Sequence, residues 1–157
     1  GNGNFMVEIL CRKLSSVEAK YPREITEYHR FAFLAISNIY GVELLSDNAQ
    51  ECRERLFQIF NKQYERLFRH KTNDLYRNAI KYVLQKNIVT GNFLQPQTIF
   101  FSEWILIKGD MVERKEYALA SSMGAPSRDL FVELGHKKYR TVHLLDIGRK
   151  PDKKVKK

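Results

Sequence analysis

The stretch Ile99-Phe100-Phe101-Ser102-Glu103-Trp104-Ile105-Leu106-Ile107 decides whether the chain is wholly helical or carries a sheet. β-Branched and aromatic side chains dominate it, and Lys108-Gly109 breaks it. A short apolar run of this kind suits a buried strand or a buried helix, and periodicity does not separate the two. The flanks set the class. Thr90-Gly91-Asn92 and Gln95-Pro96-Gln97 punctuate the chain before the run, so a helical region ends there. Downstream, Leu130–Leu134 and Tyr139–Leu145 are strand-like, and Gly135-His136-Lys137-Lys138 joins them as a β-hairpin. Between run and hairpin, Asp110-Met111-Val112-Glu113 has the form of a capping box, which predicts a helix over 111–123.

Four helices are expected upstream. In 5–19, Phe5, Ile9, Leu10, Leu14 and Val17 recur at helical spacing, and Tyr21-Pro22 ends the segment. Residues 23–40 are apolar around most of the girth, as in a central helix, with Gly41 as the stop. Ser46 or Asp47 caps a third helix at 48–69 with a stripe of Cys52, Leu56, Ile59, Phe60, Tyr64, Leu67 and Phe68. Thr72 or Asn73 caps a fourth at 74–86. The predicted fold is therefore α-rich α+β: a four-to-five-helix body, then a C-terminal β-hairpin, then a basic tail. Residues 1–148 read as a single globular domain and 149–157 as the tail. A chain of 157 residues is long enough to bury its own core.

No apolar run reaches the roughly 20 residues that span a bilayer. The longest, Phe31–Leu45, is interrupted by Ser37, Asn38, Gly41 and Glu43. No signal-peptide pattern is present at the start of the sequence, and Cys11 and Cys52 have no partners at metal-ligand spacing. These features predict an intracellular protein, cytoplasmic or nuclear, with two reduced core thiols and no membrane partner.

The net charge is +9, and its distribution carries the functional reading. Arg149–Lys157 holds six cations and one acid, hence +5 of that total. The predicted hairpin turn gathers His136, Lys137, Lys138 and Arg140, with Tyr139 placed to stack on a base. A helical body followed by a basic hairpin is the layout of winged-helix domains, in which the wing touches phosphates, although no motif of a particular winged-helix family is present. Cations suit phosphates because each one neutralised releases condensed counterions. The expected function is nucleic-acid binding, DNA or RNA, by backbone contacts. The expected contacts are His136, Lys137, Lys138, Tyr139 and Arg140 in the hairpin and Arg149, Lys150, Lys153 and Lys154 in the tail. Arg66 and Arg69 on the third helix are weaker candidates, because Glu51, Glu54 and Glu65 lie within reach of that basic face.

An interaction or assembly subunit, with a protein partner or a second copy of itself, is the alternative reading. A small nuclease or toxin-like ribonuclease ranks below it. Arg23 and His29 have the Arg-x5-His spacing of helical HEPN-type ribonuclease sites, but about one such match arises by chance in this composition. Glu113-Arg114-Lys115 has the Glu-x-Lys form of metal-dependent nucleases, a chemistry that needs the pair on a strand with an aspartate on the strand before. His136 and His143 lack the cysteine or acidic company of a zinc site. No phosphate-binding loop, dinucleotide fingerprint or nucleophile elbow is present. No catalytic residue, metal or cofactor is therefore assigned.

Overall fold

The computed structural model describes residues 3–120 and 136–155. The fold is α-rich α+β. Helices α1 (Asn4–Lys20), α2 (Ile25–Ser37), α3 (Ser46–Phe68) and α4 (Asp74–Asn87) form the body. Strands β1 (Gly41–Glu43) and β2 (Ile88–Thr90) pair in parallel. Strands β3 (Phe100–Ile107), β4 (Met111–Ala118), β5 (Lys137–Lys138) and β6 (Val142–His143) make the second sheet, in which β3, β5 and β6 all run antiparallel to β4.

The helices bury the stripes their sequences encode. Leu10, Leu14 and Val17 of α1 pack with Tyr28, Ala32, Phe33 and Ile36 of α2, Leu56, Phe60 and Tyr64 of α3, and Tyr76, Ile80, Val83 and Leu84 of α4. Asn73 caps α4, its side chain accepting from the Leu75 amide at 2.8 Å. α3 begins at Ser46 with Leu45 in the cap position, so neither Ser46 nor Asp47 caps it. Cys52 is buried as expected, whereas Cys11 is exposed, a correction to the reading of both thiols as core residues. Leu10, one position earlier, takes the inward-facing place on α1.

The run at Ile99–Ile107 is a strand. Ser102 and Trp104 of β3 and Val112 and Arg114 of β4 are buried beneath the helices. A polar chain fixes the contact: Trp104 Nε1 donates to Asn87 Oδ1 at 2.9 Å, and Asn87 Nδ2 donates to the Ser37 carbonyl at 2.8 Å. Both buried polar side chains are thereby satisfied, and α2, α4 and β3 are tied together.

The predicted helix over 111–123 is corrected: residues 111–118 are strand β4, paired with β3 from Ile107↔Met111 to Phe100↔Ala118. Asp110 is a turn residue and does not cap a helix. Gly109 and Asp110 both have positive φ, 76° and 56°, which closes a tight hairpin with the twist that neighbouring strands require. Arg30 of α2 holds Asp110 at 3.2 Å. Of the predicted hairpin, Leu130–Leu134 lies outside the described residues. In its other half, Tyr139–Leu145, Val142-His143 are β6, and Lys137-Lys138, expected in the turn, are strand β5; β5 and β6 together make one bulged strand on the free edge of β4. Lys138 pairs with Lys115 and Val142 with Val112, so three residues between them oppose two.

Candidate nucleic-acid interface

The C-terminal residues form a strap across this bulged strand. The Arg140 amide donates to the Lys153 carbonyl at 2.8 Å, and the Val155 amide donates to the Lys138 carbonyl at 2.9 Å, around the bridge Tyr139↔Lys154. The strap thus adds an outer row of pairing beside β5. Upstream it turns at Gly148, whose φ is 76°. A Cβ at Gly148 would meet Tyr82 Cβ and Cγ at 3.0 Å, so glycine allows both the turn and the approach to α4.

Beneath the strap lies a cavity of about 550 Å³, walled by β4, the bulge, the 3-10 turn Leu144–Asp146 and residues 147–153. Arg114 of β4 is the buried charge of its wall, with a side chain only 5% exposed. Its guanidinium donates to Asp152 Oδ2 at 2.5 Å, to the Tyr82 hydroxyl at 3.1 Å and to Glu116 Oε2 at 3.3 Å. The Tyr139 ring covers it at 4.0 Å, and Trp104 lies 5.5 Å from it. Tyr82 in turn donates to Asp152. Burial, then the bond to Asp152, pushes the Tyr82 hydroxyl up to about 12, so it remains a donor at any physiological pH. Burial works against the charge of Arg114, but the carboxylate of Asp152 and the Tyr82 hydroxyl outweigh it and raise its pKa. The buried cation is thus paired and hydrogen-bonded, the condition under which a protein interior tolerates one.

The structure divides the residues predicted for the site. Arg140, Arg149, Lys150 and Lys153 line the cavity, and Lys154 stands beside Arg140 and Lys153 on a neighbouring groove. Arg149 is paired with Asp146 at 2.8 Å, whereas Arg140, Lys150, Lys153 and Lys154 have no carboxylate partner among the described residues. Lys137 and Lys138 stand on β5 and point their charges at Glu116, 3.8 Å, and Glu113, 3.0 Å. The lysine ammonium groups, Lys138 foremost, hold the Glu113 carboxyl below its ordinary range. Tyr139 is buried, its hydroxyl donating to Glu116 at 3.2 Å, so its ring packs on Arg114 and is not free to stack on a base. His136 lies against Tyr117, ring centres 5.2 Å apart. Arg66 makes two 2.8 Å bonds to Glu18 of α1, and its guanidinium lowers the pKa of that carboxyl. Arg69 follows α3 in the 3-10 turn Arg69–Lys71, away from the cavity walls.

Sequence reasoning missed Arg114, Tyr82 and Asp152. One signal pointed to the last of these, because it is the sole acid among the final nine residues.

The residues of the ribonuclease reading are separated in character. His29 donates or accepts at the Tyr64 hydroxyl, 2.7 Å, and stacks on Tyr76 at 4.0 Å, while Arg23 is exposed. Glu113 and Lys115 do share strand β4, but β3 offers Glu103 opposite Lys115 and no aspartate, and Glu103 accepts from Tyr117. Among the described residues no group of three His, Cys, Asp or Glu side chains converges as a metal site would. No helix is long and apolar enough to cross a membrane among them.

No protein-family model, no curated protein and no solved structure matches the chain.

Proposed function

We propose that the protein binds nucleic acid through its phosphates, using the cationic rim made by the bulge and the strap. One observation carries this reading: Arg140, Lys150, Lys153 and Lys154 are brought to one surface and have no carboxylate partner among the described residues. Unpaired cations cost the folded protein self-repulsion and serve to attract an anion. Tyr139, next to Arg140 in the bulge, packs on Arg114 and donates to Glu116, so its ring does not serve to stack on a base. Backbone contact without sequence readout follows. Lys137 and Lys138 contribute less, their charges being spent on Glu116 and Glu113.

The test is affinity against salt, measured by fluorescence anisotropy with single- and double-stranded DNA and RNA. Four phosphate contacts give a slope of log affinity against log salt of about −3 on single strands and about −3.6 on duplex. Replacing Lys150→Gln and Lys153→Gln together should reduce its magnitude by about 1.5. Absence of binding at low salt, or an unchanged slope in the double variant, overturns the proposal.

A second reading, docking to another protein, has its own observation. β1 and β2 run parallel; Leu44-Leu45 follows β1 directly, Phe93-Leu94 comes after β2 and Gly91-Asn92, and all four side chains are exposed, Leu94 88%. Exposed large apolar side chains beyond the same end of a parallel pair are of the type used in association. Light scattering of the free protein and of a Leu44→Ser/Leu94→Ser variant distinguishes self-association from its absence.

A further inference from the structure

We propose that the cavity under the strap is a binding site for a nucleotide unit carrying a terminal phosphate, so that the protein prefers a phosphorylated strand end over a continuous backbone. The inference rests on the nucleic-acid reading above and deepens it.

Three features of the cavity argue for it together. The first is size: about 550 Å³ lies within the range of small-molecule sites and exceeds what a single bound ion needs. The second is charge. Five cationic side chains line it against two carboxylates, and both carboxylates are already engaged, Asp146 by Arg149 and Asp152 by Arg114 and Tyr82. Arg140, Lys150 and Lys153 remain for a ligand. A phosphate monoester carries close to two negative charges near neutrality and a diester one, so an excess of three cations favours the monoester. The third is the wall. Half-buried Tyr82 gives the cavity an aromatic edge, over the buried Trp104, Val112 and Ile147 beneath it. A nucleotide has that same division, a flat base and a charged phosphate.

Arg114 fits the scheme as a fixed charge in the wall. Tyr139, Asp152 and Tyr82 immobilise its guanidinium, and its buried Nε–H has no acceptor among the described residues. Asp152 and Glu116 take up its charge, so it holds the strap in place over β4 and leaves the ligand's charge to Arg140, Lys150 and Lys153. A continuous backbone satisfies Lys154 on the neighbouring groove but cannot present a doubly charged phosphate to the partly open cavity beside it. A strand end or a free nucleotide can.

The experiment uses the full chain and one short single-stranded oligonucleotide in three forms, with a 5′ phosphate, with a 3′ phosphate and with neither, together with free adenosine 5′-monophosphate. Binding is measured by calorimetry at low salt. The expected result is that one phosphorylated form binds about tenfold more tightly than the unphosphorylated one. The free nucleotide should compete with that form, and Lys150→Gln/Lys153→Gln should abolish the difference. Equal affinity for all three forms overturns the cavity site and leaves the backbone reading standing. Binding of the free nucleotide with no binding of any oligonucleotide supports the site and overturns the nucleic-acid reading. If nothing binds, both are overturned.

Discussion

His29 shows how a single side chain can look like a catalyst in the sequence and serve as structure in the fold. Its ring lies between Tyr64 and Tyr76, and burial holds its pKa at about 4, down from an ordinary 6.5. Asp110 is the nearby charge, and it opposes the shift only in part. The neutral form is therefore the native one. In the unfolded chain the ring takes up a proton near 6.5, whereas in the folded chain it does so only near 4. Its contribution to stability is complete above pH 6.5 and is lost as pH falls from there to about 4. The loss should amount to roughly 2 kcal/mol, after allowance for the partial solvent exposure of the ring. Urea unfolding at pH 7 and pH 4.5 measures it. In a His29→Gln variant, less stable at pH 7, the part of the pH dependence due to this ring should disappear. Equal pH dependence in both proteins would contradict the assignment. The same principle explains why Arg114 could not be recognised from sequence. A charged residue at an inward position is rare, and only its partners on α4 and the strap make it tolerable.

Among the elements, the helices were legible and the second sheet only partly so. Stripes such as Leu56, Phe60 and Tyr64 repeat at helical spacing, and tertiary packing reinforces that pattern, so α1 to α4 appear where the sequence places them. β4 was hidden because Glu113-Arg114-Lys115-Glu116 has no apolar alternation to read. Its inward side is carried by Val112 and Arg114, and the positive φ of Asp110, which sets the hairpin, leaves no trace in composition. The strap was illegible for another reason. Its lysine-rich sequence reads as solvated, and its order depends on backbone pairing with β5 and on Asp152 reaching Arg114. This element carries a prediction of its own. Gly148→Ala places a Cβ against Tyr82 in a left-handed conformation and should cost about 1–2 kcal/mol. The strap should loosen before the body does. Amide exchange at Arg140 and Val155, the two donors to the strap pairing, should accelerate, while exchange within α4 stays slow. Uniform acceleration throughout the chain would mean that strap and body unfold as one unit.

Cations of this molecule differ in whether they have a carboxylate partner, and those at the C-terminal end without one among the described residues converge on one cavity and its neighbouring groove. On the helical body, Arg12, Arg66 and Arg77 are paired with Glu8, Glu18 and Glu65, and those charges are neutralised where they stand. At the C-terminal end, Arg140, Lys150, Lys153 and Lys154 are left free among the described residues. The net charge of +9 is therefore a poor guide to where an anion would bind. An exposed pair is screened by salt and gives up little to a ligand, because a phosphate must first compete with the resident carboxylate. An unpaired lysine offers its full counterion release. Two double variants that remove the same formal charge should accordingly behave differently. Arg66→Gln/Arg77→Gln, on α3 and α4 and both paired with carboxylates, should leave nucleic-acid affinity and its salt slope close to those of the parent protein. Lys150→Gln/Lys153→Gln should reduce the slope by about 1.5 and weaken binding most at low salt. If the two variants lose affinity equally, binding follows net charge alone, and whether a cation has a partner has no functional consequence.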